Sequence, residues 1–221
     1  MKVLVSGMLL LLLLSTFLYS QDKGMIDIHH FDTQIGFATG YLGIALLSAH
    51  GAAPDTYNLR VHSISHLGSQ GYEKAWIMNA GFIGFGGMVA GSTIAYSIRT
   101  GQDWPLSLGL GTWGLGILAS GFASLSPFVE GVPYNPTESQ WHSLFATTAG
   151  IGISAAALNL VITDPEPERK LVHGTALTFI SLTSAMTGLQ PENTGLWQRL
   201  LWAGSLGWLN WAFATDPRYS R

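Results

Sequence analysis

The chain contains no cysteine. Disulfides, thiolate nucleophiles, thiolate metal sites and palmitoylation are excluded on that ground, although the redox compartment is not fixed by it. Charge is scarce as well. Asp, Glu, Lys and Arg make up 10% of the 221 residues, against about 25% in soluble domains. The net charge of -3 and the lack of any basic cluster exclude nucleic acid as a partner. No period suggests a repeat architecture, no low-complexity tail is present, and the alternating pattern of membrane barrel strands is missing.

What remains is apolar length. The mean hydropathy is +0.30, and apolar stretches recur between short polar loops. The spacing predicts helical spans at Ile35–His50, Trp76–Ile98, Pro105–Ser124, Trp141–Thr163, Leu171–Leu189 and Leu196–Ala214. Helices are expected because backbone polar groups in lipid must be satisfied internally. Trp76, Trp104, Trp141, Trp197 and Trp211 stand at span ends, where an interfacial aromatic belt belongs. The fold class is therefore all-α, a polytopic membrane helical bundle of about six spans plus an N-terminal hydrophobic segment.

Residues 1–20 read either as a signal peptide or as an extra transmembrane helix. Residues 21–34 form a polar connector, 35–214 the six-helix bundle and 215–221 a short polar tail. Lys23, Arg99, Arg169, Lys170, Arg218 and Arg221 fall on one side; Lys2, Arg60, Lys74 and Arg199 fall on the other. The positive-inside rule makes the first side cytoplasmic, so the loops Gly51–Ala75 and Leu125–Gln140 face outward. A cleaved signal peptide would invert that assignment, because it places Gln21 outside. The expected location is a bacterial inner membrane.

Small and polar residues inside the spans have packing roles to fill. The 27 glycines suit close helix approach, with Gly87-x-x-x-Gly91 serving dimerisation or packing within the monomer. The hydroxyls of Thr175, Thr178, Ser181, Thr183, Ser184 and Thr187 either bond to helix backbone or line a polar cavity. Asn159 and Asn210 read as bridges between helices, and Arg199 as a snorkelling side chain. No Asp, Glu or Lys lies deep in a span, which leaves a proton relay or ion-coupled transport path unsupported.

Four segments in order carry a resemblance: SISHLG at Ser63–Gly68, AWIMNAGFIGFGG at Ala75–Gly87, SPFVEG at Ser126–Gly131, and WHSLFA at Trp141–Ala146. Over roughly residues 35–214 the chain resembles the bacterial membrane family catalogued as domain of unknown function 998. The family pattern has an acidic residue after a proline in the outer loop; here Pro127 is followed by Phe128, Val129 and only then Glu130. The resemblance implies a helical bundle of about six spans and no established activity. It also looks distantly similar to eukaryotic membrane proteins linked to lipid remodelling, an analogy of fold alone.

The outward end gathers the reactive side chains. His142 and Glu130 are the candidate catalytic pair, as general base and acid. Ser63, Ser65, His66 and Asn79 are candidates for binding a substrate. His62, His66 and His142 are candidate metal ligands, although the His62-x-x-x-His66 spacing lacks the glutamate of a metalloprotease helix. No cofactor is assigned. Zinc at those histidines and haem between His50 and His142, or between His30 and His173, are the alternatives weighed. Three functions follow: binding of a lipid headgroup or small amphiphile at the outer face, which is favoured; a lipid-modifying hydrolase or transferase; or a structural subunit of a larger membrane complex. Partners are then membrane lipid and either a membrane protein or a second copy of the chain.

Overall fold

The computed structural model describes residues 30–101, 103–216 and 218–219. The 1–20 segment and most of the connector lie outside the described residues. Six long helices appear: α1 (Phe31–Gly51), α2 (Ala75–Thr100), α3 (Trp104–Phe122), α4 (Pro136–Thr163), α5 (Pro167–Leu189) and α6 (Thr194–Thr215). Short 3-10 turns cover Ile64–Gly68 and Pro191–Asn193. Among the described residues there is no strand.

Three helix starts differ from the sequence reading by a turn or more, α5 beginning at Pro167 rather than Leu171. α1 begins inside the stretch read as connector, because Phe31 is buried against Tyr96, Phe213 and Tyr219. α4 begins at Pro136, ahead of its apolar run. Asn135 Oδ1 accepts from the Thr137 and Glu138 N–H groups at 3.0 and 3.4 Å, and Pro136 has no N–H to leave unpaired.

Sequence neighbours are spatial neighbours, and α6 returns against α1 to close a ring. Glycine sets how tightly the ring is drawn. A Cβ on Gly114 of α3 would lie 2.7 Å from Ala90 N on α2, and one on Gly109 would lie 2.8 Å from Ala156 N on α4. Backbones therefore touch along α2–α3–α4. The Gly87/Gly91 pair is not the contact: Gly87 meets only the Leu118 side chain, and Gly91 faces open space. The seams between α4 and α5 and between α1 and α6 are looser. Asn210 Nδ2 crosses the second of these to Thr39 Oγ1 at 2.9 Å.

The outer faces are apolar. Ile44, Ile94, Leu115, Ile151, Leu158 and Leu182 are all exposed on the helices. Helices α2 and α4 are long and apolar enough to cross a membrane, and only 44% and 33% of their most apolar windows are buried. A helix apolar on the side that faces away from its own core needs an apolar surrounding. This is a membrane protein. Trp76, Trp104 and Trp141 project outward at helix ends as a belt requires, 67%, 71% and 50% exposed. Trp211 instead turns inward against His173, with Arg169 over its ring.

Candidate functional site

The long connection between α1 and α2 is strapped onto the start of α6. The Gly195 and Leu196 N–H groups, which no helical carbonyl can reach, donate to Val61 O and Arg60 O at 3.2 Å. Arg199, one turn further on, donates through Nη1 to the carbonyls of Leu59, His62 and Gly195 at 2.8, 2.9 and 2.7 Å. Its Nη2 donates to the Tyr57 hydroxyl at 2.6 Å and reaches His50 Nε2 at 3.4 Å. Arg199 therefore does not snorkel. It is 9% exposed, and it acts as a peg through the loop.

The strap continues into the 3-10 turn. Ile64 N–H donates to Gln198 Oε1 at 2.6 Å, and His66 Nδ1 accepts from Ser63 N–H at 3.0 Å with Ser63 Oγ at 2.9 Å. Phe128, from the α3–α4 loop, packs on the rings of Tyr57, His62, His66 and Tyr72. Burial, then the nearby charges of His62, His142 and Arg199, lowers the His66 pKa to about 4. Burial and Arg199 lower that of His62.

Beneath this cover lies a cavity of ≈ 90 Å³ in the bundle. Phe82, Trp113 and Trp202 form aromatic walls, with Trp113 and Trp202 centroids 6.4 Å apart. Its polar lining is Ser65, Ser120, His142, Ser184, Gln198 and Ser205. Ser184 of α5 is exposed and lines the cavity together with Ala146 and Gly150 of α4, so the cavity reaches the surface at the loose α4–α5 seam.

His142 is 3% exposed and borders this cavity. Its Nδ1 lies 3.0 Å from Ser120 O and 2.6 Å from Ala123 O, at the end of α3. Its Nε2 is buried without a partner among the described residues. A buried orphan nitrogen is costly and calls for an explanation.

The residues singled out from sequence divide accordingly. His142 and Ser65 meet at the cavity. Ser63 and His66 cap one another, and Asn79 Nδ2 holds Ser124 Oγ at 3.2 Å. Glu130 is exposed on the loop and does not join His142; Glu138 serves the loop instead, accepting from Ser124 N–H at 2.8 Å. His62, His66 and His142 make no metal centre: among the described residues no group of three such ligands is placed to hold an ion. The His62 and His66 Nδ1 atoms are engaged by Asn58 N–H and Ser63. Of the histidines weighed for haem, His173 bonds through both nitrogens and His50 lies against Arg199 and Tyr57. The hydroxyls of Thr175, Thr178, Thr183 and Thr187 bond to the backbone of their own helix.

A cluster at the opposite end was missed from sequence. Asp164 Oδ2 accepts from Arg169 Nε at 2.9 Å, His173 Nε2 at 3.1 Å and Arg218 Nη2 at 3.4 Å. Asp216 Oδ2 accepts from Arg169 Nη2 at 2.7 Å and Arg218 Nη2 at 2.6 Å. Trp208 Nε1 donates to His173 Nδ1 at 3.0 Å, which places the ring proton on Nε2, toward Asp164. Burial works to raise the Asp164 pKa, and the hydrogen bonds from Glu166 N–H, Arg169 and His173 outweigh it and hold it low. The signal was in the sequence: Thr-Asp-Pro follows two helices, at 163–165 and 215–217.

Compared with known proteins, residues 36–215 match the family described as "Protein of unknown function (DUF998)". The chain belongs to this family. No curated protein and no solved structure matches it. The matched region spans all but the first turn of α1 and runs to the end of α6, so the cavity and both side-chain clusters up to Thr215 fall within the family's extent.

Proposed function

We propose that this protein binds a small amphiphile, or the upper part of a lipid, within the bundle beneath its long loops. The observation that carries the reading is the orphan Nε2 of buried His142 beside an aromatic-walled cavity. Apolar walls with a few convergent polar groups are the usual make-up of a small-molecule site. The volume of ≈ 90 Å³ exceeds the roughly 10–15 Å³ that one water needs and falls below the roughly 150 Å³ of a cavity that holds benzene. It suits a head group and the first carbons of a chain, with the remainder leaving through the α4–α5 seam into lipid.

In this reading all six helices cross a bacterial plasma membrane, and the strapped loops face outward. Arg99, Arg169, Lys170 and Arg218 then flank the inner side. Arg199, counted on the outer side from sequence, is engaged inside the fold and weighs little in that balance. A hydrolase using His142 is the second reading: no hydroxyl or carboxylate pairs with its Nε2 among the described residues, so in that reading the free Nε2 acts as general base on a water rather than on a protein nucleophile.

The test is native mass spectrometry of the full chain purified in mild detergent. We expect a stoichiometric amphiphile adduct that is lost when Ala146→Phe fills the cavity. Protein that is bare, or that travels only with other polypeptides, would overturn the reading in favour of a structural subunit.

A further inference from the structure

The hydrogen bonds around the cavity restrict which head group it accepts. Carbonyl oxygens only accept, so the two carbonyls at His142 Nδ1 fix the ring proton there. The neutral ring then presents a lone pair at Nε2. Ser120 Oγ donates its hydrogen to Gly116 O at 2.9 Å, which leaves its oxygen as a second acceptor. Two acceptors on the same cavity are complementary to a donor. The two cations near this end of α6 are both engaged elsewhere: Arg199 donates to the Leu59, His62 and Gly195 carbonyls and to the Tyr57 hydroxyl, and Arg60 Nε donates to Asn193 Oδ1.

We propose that the ligand is an uncharged amphiphile with a hydroxyl head, a long-chain alcohol or partial glyceride, whose O–H donates to His142 Nε2. This rests on the cavity being the amphiphile site proposed above. At His142 Nε2 and Ser120 Oγ a carboxylate head would set acceptor against acceptor, whatever it took from the Ser65, Ser184, Ser205 and Gln198 donors on the same lining. An ether of equal chain length would fill the same space and leave Nε2 orphaned. Trp113 and Trp202 line the path of the first carbons.

The experiment compares 1-dodecanol, its methyl ether, dodecanoate and dodecane on the full chain in mild detergent. Titration by native mass spectrometry reads 1:1 adducts. The alcohol is expected to bind about tenfold or more tightly than the ether, the ratio set by one hydrogen bond to an otherwise unsatisfied buried group. In His142→Phe that preference disappears. Selective ¹⁵N labelling of histidine gives a second readout on the unsubstituted protein: the His142 Nε2 resonance moves upfield with dodecanol and stays with the ether. Ether or dodecanoate binding as well as the alcohol overturns the head-group inference while leaving the amphiphile site standing. Failure of all four compounds to bind saturably overturns both.

Discussion

Acid is expected to loosen the loop that covers the cavity, and His66 is the group through which this can be measured. Its Nδ1 accepts from Ser63 N–H at 3.0 Å, an arrangement that needs the neutral ring. Its pKa lies at about 4 in the fold against 6.5 unperturbed, first from burial, then from the charges of His62, His142 and Arg199. A base whose pKa is depressed by folding binds more protons when unfolded. Its stabilisation is complete above 6.5, falls with pH through the interval, and is gone below about 4. At 1.36 kcal/mol per pKa unit the interval corresponds to about 3 kcal/mol, most of it lost by about pH 4.5. His66→Asn places an amide oxygen near the Nδ1 position and cannot titrate. Unfolding of both proteins in mild detergent between about pH 7.5 and pH 4.5, with proteolysis of the 52–74 loop as a local probe, separates this term from acid effects elsewhere. The variant should lose about 3 kcal/mol less than the parent over that range. Equal pH slopes would refute the assignment to His66.

Further outcomes follow from other contacts. Gly114→Ala drives a Cβ to 2.7 Å from Ala90 N and should destabilise by about 1–3 kcal/mol in thermal unfolding, whereas Gly91→Ala, with open space around it, should be neutral or slightly stabilising. Arg199→Met leaves the Leu59 and His62 carbonyls without their guanidinium partner; a loss of about 2–4 kcal/mol and faster hydrogen exchange across 57–66 are expected, and unchanged exchange would remove the peg role. Asp164→Asn halves the charge of the carboxylate pair that holds Arg169 and Arg218 and should cost about 2 kcal/mol. Since the Asp164 pKa is lowered in the fold, its contribution is present at neutral pH and is lost as pH falls below the ordinary carboxylate range, so parent and Asp164→Asn stabilities should converge in acid.

The helices were legible because length and apolarity are properties of a segment alone. All six fall where the apolar runs lie, and the prolines among the described residues sit in loops or first turns. The start of α4 was equally readable from Asn135-Pro136, a cap followed by a residue without an N–H, but hydropathy favoured Trp141 as the boundary. His142 could be singled out as a polar residue beside an anchoring tryptophan. What its two nitrogens do could not be read, because that depends on carbonyls of Ser120 and Ala123 at the end of another helix. The same applies to Arg199, which a sequence places at an interface and the fold buries under a loop 137 to 142 residues away in the chain. Glu130 was singled out from the loop, but it stands in solvent, and it is Glu138, in the first turn of α4, that accepts from a backbone N–H, that of Ser124.

The paired Thr-Asp-Pro cluster bears on how such a chain enters a bilayer during synthesis. Asp164 finds Arg169 five residues on, and Asp216 finds Arg218 two residues on. Each half of the cluster is thus neutralised by its own stretch of chain before the other half has been made. Docking of α6 against α5 then adds the cross pairs, Arg169 to Asp216 and Arg218 to Asp164. On this geometry each helix end carries its own counter-ion, so the charge left for docking to compensate is small.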